Sequence, residues 1–150
     1  MSLAKEFAVR YAGLRQAYGT FTANNETRED GKASGKNITI SKELSDDDLL
    51  KLWEDHLSGQ QSVGIVAIDE DNKCVWGAID VDEYQLDLKD LAIKIAKQEL
   101  PLVLCRSKSG GAHIYMFLSE PVAASMVQRK LRQIAAAIGY GQVEIFPKQT

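Results

Sequence analysis

What is missing narrows the choices first. The chain has only two cysteines in 150 residues, Cys74 and Cys105, and no Cys-x-x-Cys spacing, which argues against a zinc knuckle. Both fall in apolar, strand-like runs, as buried free thiols do in a reducing cytoplasm, and a cytoplasmic protein is the expectation. No apolar run approaches membrane-spanning length and no signal-peptide pattern opens the sequence, so no membrane partner is expected. Strong charge of either sign is also lacking: the net charge of −3 does not advertise a nucleic-acid binder, although a total hides local patches. The hydrophobic fraction of 45% and charged fraction of 26% suit one ordinary globular domain with a real core.

The stretch around which the rest is organised is Trp76-Gly77-Ala78-Ile79-Asp80-Val81-Asp82. Side chains alternate along a strand, so Asp80 and Asp82 share one face while Val75, Ile79 and Val81 face a core. Two carboxylates side by side repel, and a hard cation such as Mg²⁺ or Mn²⁺ between them relieves the repulsion. The plainer reading is that Asp82 ends the strand and caps the next segment; Asp-x-Asp is short and common.

Ahead of that strand, Leu3, Phe7, Tyr11 and Leu14 fall at helical spacing and predict a helix from Leu3 to Tyr18. From Gly19 to Lys42 the pattern lapses. This reads as a solvated loop, or as a basic loop closing on phosphates through Arg28, Lys32 and Lys36. Ser45 caps a helix carrying Asp46, Asp47 and Asp48 in its first turn, and His56 on that helix reads as a packed or half-exposed residue rather than a ligand. Val63 to Ile68 reads as a strand that should pair with the Asp strand as a hairpin. Beyond Asp82 come a helix capped by Asp87, a strand Leu102–Cys105, a strand His113–Leu118, a helix after Pro121 that Gly139 ends, and a strand Val143–Phe146. From the Asp strand onward the order is β-α-β-β-α-β, the split βαβ of ferredoxin-like and RNA-recognition folds. The fold class is therefore α+β, with an RRM-like core over residues 63–150 and an N-terminal α/β extension, a helical and basic-loop unit, over residues 1–62. In that arrangement the first and third strands lie adjacent and the fourth flanks the first. A hairpin partner from Val63–Ile68 would then be a third neighbour for the Asp strand, which has only two edges.

Two further stretches bear on the acids. Arg106-Ser107-Lys108-Ser109-Gly110-Gly111-Ala112-His113 gathers two cations, two hydroxyls, two glycines and an imidazole into one turn. Glycines let backbone approach a ligand and offer N–H groups to anions, while Arg, Lys and Ser neutralise or donate to phosphate oxygens. A solvated hairpin loop is the simpler account. In Val143-Glu144-Ile145-Phe146, Glu144 interrupts an apolar strand, which is costly unless it is exposed or paired. If Val143 and Ile145 face the core, Glu144 joins Asp80 and Asp82 on the open face, the layout for two-metal phosphoryl transfer with ions ~3.5–4 Å apart.

Together, Asp80-x-Asp82, the Ser-Gly-Gly-x-His ending at His113, and Glu144 resemble the three motifs of the archaeo-eukaryotic primase superfamily. The segments WGAIDVDEY, LPLVLCRSKSGGAHIYMFLSEPV and VEIFPKQ resemble in particular the primase-polymerases of TOTE conflict systems and relatives encoded near CRISPR loci, over about residues 53 to 149. The resemblance implies a template-directed nucleotidyltransferase, a DNA primase or polymerase that joins NTPs or dNTPs on a single-stranded or primed DNA template. It implies Asp80, Asp82 and Glu144 as ligands of two Mg²⁺ or Mn²⁺ ions. It implies Ser109 and His113 on the triphosphate, with Arg106, Ser107, Lys108, Gly110 and Lys148 assisting, and a helicase or nuclease on the same or a neighbouring chain. Catalytic domains of this kind continue past the third motif, so a chain ending at Thr150 is expected to be a fragment or a reduced relative, with template binding and isolated activity the functions at stake. Other classes remain open: a metal-dependent nuclease using the same acids, a non-catalytic RRM-like module stacking bases on Tyr115 and Phe117, and a nucleotide sensor.

Overall fold

A computed structural model of the chain describes residues 1–27, 33–83, 85–108 and 110–150. They fall into two compact units, Met1–Asp69 and Glu70–Thr150.

In the first unit, helix α1 (Leu3–Arg10) begins at Ser2, whose hydroxyl accepts from the Lys5 amide. It is shorter than its periodicity suggests. The backbone at Gly13 lies so close to Val66 that an added Cβ would sit 2.0 Å from the Val66 carbonyl oxygen, and Leu14 N–H donates to that same oxygen. The chain is thereby turned out of the helix and into strand β1 (Ala17–Thr27). The stretch Gly19 to Lys42 is expected as a loop; its described residues instead pair β1 antiparallel with β2 (Ala33–Ser41), in register from Ala17 opposite Ser41 to Ala23 opposite Gly35. Alternating Thr20, Thr22, Ile38 and Ile40 suit a pleated surface, but the hairpin lacks the continuous apolar face that would betray it. Lys36 stands on β2; Arg28 and Lys32 lie outside the described residues.

Helix α2 (Asp46–Leu57) carries a full capping box: Asp48 N–H donates to the Ser45 hydroxyl, and Ser45 N–H returns to the Asp48 carboxylate. Hydrogen bonds from Lys42 and Ser45 hold the Asp48 carboxyl down to about 2. Trp53 packs among Phe7, Tyr11 and His56, and His56 Nδ1 lies 3.0 Å from the Gln61 carbonyl oxygen, a packed histidine as expected. Strand β3 (Gly64–Ile65) does not pair with the Asp strand. It joins β1 through Tyr18–Ile65 and Gly19–Gly64, making the sheet β2-β1-β3. The Asp strand is thus spared a third neighbour.

The second unit contains β4 (Lys73–Val81), α3 (Leu88–Ala96), β5 (Leu102–Arg106), β6 (Ala112–Ala123), α4 (Ala124–Ala137) and β7 (Glu144–Phe146). Its antiparallel sheet runs β5-β6-β4-β7. The first and third strands of the βαββαβ series are adjacent and the fourth flanks the first, so the α+β class and the expected strand neighbours are both present. Ile79, Val81, Ile114 and Ile145 form the core face, each at most 4% exposed, with Leu131 and Val127 of α4 packed over it. Gly77 admits that helix: a Cβ there would lie 2.6 Å from Leu131 Cδ1. Asp87 caps α3 by accepting from the Lys89 and Asp90 amides. Gly139, at φ +90°, ends α4 in a Schellman turn, with Tyr140 N–H on the Ala135 carbonyl and Gly139 N–H on that of Ala136. Among the described residues no helix is long and apolar enough to cross a membrane.

Candidate active site

Register decides which side chains meet. Cys105 is opposite His113, His113 opposite Asp80, and Asp80 opposite Glu144. Directly paired residues share a face, so one row, Cys105–His113–Asp80–Glu144, crosses all four strands on the face opposite Ile79. The next row down is Val103–Tyr115–Ala78–Phe146. Three stretches far apart in sequence thus converge at Asp80.

Asp80 and His113 form the central contact. His113 Nε2 stands 3.4 Å from Asp80 Oδ1, with both side chains partly exposed, at 39% and 29%. The hydrogen bond to Asp80 raises the His113 pKa above its ordinary 6.5; burial opposes the rise, and the charges of Asp80 and Asp82 add to it. The other ring nitrogen, Nδ1, lies 3.2 Å from the Tyr115 hydroxyl. On the far side of Asp80, Glu144 is exposed and its Oε1 accepts from Lys148 Nζ at 3.0 Å. Lys148 also lies 5.0 Å above the Phe146 ring, and Gln128 Nε2 donates to the carbonyls of Pro147 and Lys148, fixing this segment to α4. Asp82 is exposed, one step past the end of β4.

The glycine-rich turn is pressed against that end. A Cβ on Gly111 would lie 2.1 Å from the Val81 carbonyl oxygen and 3.3 Å from Asp82 Cα, so only glycine permits the approach. Ser107 N–H donates to the Gly111 carbonyl at 2.9 Å and Gly110 N–H to that of Ser107 at 3.1 Å, closing the turn. Gly110, at φ +94°, supplies the left-handed residue the closure needs. Lys108 is exposed in the turn, and Ser109 lies outside the described residues. Arg106 is opposite Ala112, which is opposite Val81, so its row belongs to the helix-covered face rather than to that of His113. The structure therefore brings together Asp80, His113 and Glu144, sets Asp82 and the turn beside them, adds Lys148 at the rim, and turns Arg106 away. Tyr115, which the sequence offers as a base-stacking ring, is joined to the row through its hydroxyl. The spacing His-x-Tyr is the available sign, since residues two apart on a strand share a face.

Carboxylate oxygens are the donor chemistry that Mg²⁺ and Mn²⁺ take, and the Asp80–Glu144 pair and Asp82 offer it within one end of the sheet. Among the described residues, no three of His, Cys, Asp or Glu are grouped closely enough to hold an ion. Asp80 is turned to His113 and Glu144 to Lys148, so each of these two acids faces a basic group.

A family model described as the archaeo-eukaryotic primase domain of TOTE conflict systems matches residues 5–149. No curated protein matches the chain.

Proposed function

From the premise that this chain belongs to the archaeo-eukaryotic primase domain family of TOTE conflict systems, we propose that it is a template-directed nucleotidyltransferase that extends or initiates a nucleic-acid strand from NTPs or dNTPs. Family membership supports a primase-like nucleotidyltransferase in general, acting on nucleotides and nucleic acid. The observation that supports the finer reading is the row Glu144–Asp80–His113 with the Gly111 backbone against its end. It joins an acidic, metal-seeking half to an anion-seeking half, which a nuclease or a bare RNA-recognition sheet would not need.

In this reading Asp80, Asp82 and Glu144, which do not stand close enough to hold an ion as they are, would draw together on one or two divalent ions, Mg²⁺ or Mn²⁺. The ions would supply charge neutralisation at the α-phosphate and activation of the attacking hydroxyl. His113 donates from Nε2 to an oxygen of the bound triphosphate, exchanging Asp80 for the nucleotide. Lys108, with the Ser107 and Ser109 side chains, neutralises and orients the β- and γ-phosphates, while the Ser107 and Gly110 amides stay within the turn they close. Lys148 leaves Glu144 and moves to the phosphate charge. A strand's 3′-hydroxyl attacks the α-phosphorus, the new phosphodiester bond forms as the bond to the β-phosphate oxygen breaks, and pyrophosphate departs. Arg106, on the other face, acts at most on the charge around the turn. Residues 1–62 are assigned to the same catalytic domain as its N-terminal part, and a helicase or nuclease is the expected co-worker.

The test incubates the protein with Mn²⁺, a labelled primed template and dNTPs or NTPs, alongside Asp80→Asn and Glu144→Gln. Extension by the wild type and a loss on the order of a thousandfold in each variant are expected. Shortening of the labelled strand would identify a nuclease instead; nucleotide binding without product would identify a sensor.

A further inference from the structure

The Asp80 contact alone leaves the imidazole of His113 undetermined. A neutral histidine carries its proton on either nitrogen, and a ring flip would present the other one to the same carboxylate. With a side chain 39% exposed, packing does not decide between them. The group that does is Tyr115. Its hydroxyl lies 3.2 Å from Nδ1, while Nε2 lies 3.4 Å from Asp80 Oδ1, so the ring is gripped at both nitrogens. The carboxylate only accepts; the phenol can donate. The arrangement that satisfies both is Nδ1 accepting from Tyr115 and Nε2 carrying the proton.

Tyr115 is itself held. Its ring stacks on Phe117 at 5.9 Å between centroids and 20° between planes, and meets Trp76 at 6.3 Å and 53°. Trp76 is only 7% exposed, which anchors the stack. The His113 ring meets Tyr115 edge-on, at 5.9 Å and 84°. Opposite Tyr115 on β4 stands Ala78, too small to displace it. We infer that Tyr115 is a positioning residue: its hydroxyl fixes the tautomer and orientation of His113, so that Nε2–H is the group presented to the nucleotide. The inference deepens the reading above, in which His113 contacts the triphosphate. It differs from a base-stacking role for Tyr115, because stacking is served equally by phenylalanine, whereas the grip on Nδ1 needs the hydroxyl.

The test is Tyr115→Phe in the full chain, read in two ways. Nitrogen-15 imidazole NMR, at a pH where the rings are neutral, reports tautomers directly. Only His56 and His113 contribute, and His56, whose Nδ1 neighbours the Gln61 carbonyl, is the internal reference. The wild type is expected to show His113 as the Nε2–H form; Tyr115→Phe should mix the tautomers while His56 stays unchanged. An Nδ1–H form in the wild type, or an unchanged His113 pattern in the variant, overturns the inference. The second reading is titration with a dNTP. Loss of one neutral hydrogen bond should weaken binding about two- to tenfold in Tyr115→Phe. His113→Ala is the companion arm. If it binds dNTP as well as the wild type does, the nucleotide-contact reading of His113 fails, and NMR still decides the role of Tyr115. If His113→Ala is weakened and Tyr115→Phe is not, the positioning has no part in nucleotide binding and the inference fails.

Discussion

Gly111→Ala tests the link between the glycine-rich turn and the Asp80 strand most directly. The new Cβ would stand 2.1 Å from the Val81 carbonyl oxygen. Carbon–oxygen contacts settle near about 3.3 Å, so the turn must retreat by about 1 Å or more. Val81 cannot yield, being fully buried in the core face. The retreat strains the Ser107–Gly111 closure and the start of β6. Overpacking of this kind costs about 1–3 kcal/mol, and a lost backbone hydrogen bond adds about 1. At about 2–4 °C per kcal/mol for a chain of this size, the thermal midpoint should fall by about 5–15 °C. Neighbouring Gly110→Ala is the control. Among the described residues nothing lies within 4 Å of a Cβ there, so only the left-handed φ of +94° is penalised, by about 1–2 kcal/mol. Thermal unfolding of the two variants, with dNTP titration below both midpoints, is the assay. Gly111→Ala should be the less stable of the two and should bind dNTP at least about tenfold more weakly than wild type. If Gly111→Ala is as stable as wild type and binds equally well, or if Gly110→Ala is the worse, the close approach is not what seats the turn.

Leu131→Ala removes a fully buried side chain between α4 and β4 and should lower stability by about 2–5 kcal/mol in denaturant titration, with the far-ultraviolet spectrum retained. Asp48 has its carboxyl held at about 2 against an ordinary 3.8, so its contribution is whole above pH 3.8 and fades as pH falls toward 2. The stability gap between wild type and Asp48→Ala should therefore narrow across that window; a gap independent of pH would contradict the hydrogen bonds from Lys42 and Ser45 as the cause. Lys148→Ala breaks an exposed pair and should change stability by less than about 1 kcal/mol. It should also weaken dNTP binding severalfold in equilibrium titration, whereas unchanged affinity would confine Lys148 to steadying Glu144.

Periodicity explains which parts of the chain are legible in its sequence. Lys73–Val81 is legible as an apolar strand, and from Ile79 to Val81 it alternates, with Asp80 on the face opposite its two neighbours; the irregularity between Cys74 and Trp76 carries no sign in the sequence. Helices α2 and α3 carry their caps, Ser45 and Asp87, in plain view, and α4 its apolar stripe and its stop at Gly139, although Ala123 gives α4 no side-chain cap. The β1–β2 hairpin escapes such reading because Thr, Asn and Gly dominate it and Ile38, a strand residue, is 44% exposed; its stability rests on backbone pairing, which leaves no hydrophobic pattern. The end of α1 escapes it too, because the tight approach of Gly13 to Val66 is a tertiary event. In the site, charge composition suggests Arg106 and His113 as partners. Hairpin register separates them, since Cys105 rather than Arg106 is opposite His113. The His-x-Tyr spacing places Tyr115 and His113 on one face, but the Asp80–His113 contact depends on register and both contacts depend on rotamer, which spacing does not convey.

Glu144 reaches Asp80 on the shortest strand of its sheet. β7 has three residues, pairs on one side only, and is held by Ala78–Phe146, Ile79–Ile145 and Asp80–Glu144 together with the Gln128 contacts to the segment after it. A strand so brief opens at far lower free energy than β4 or β6, which are zipped along most of their length. The row from His113 through Asp80 to Glu144 is therefore complete only while β7 is docked, and local opening of that strand would withdraw the Glu144 carboxylate. Whatever engaged Glu144 would act as a clasp on this edge: amide exchange along β7 should slow as the site fills, and the readiness of the site would become a property of how long an edge strand stays closed.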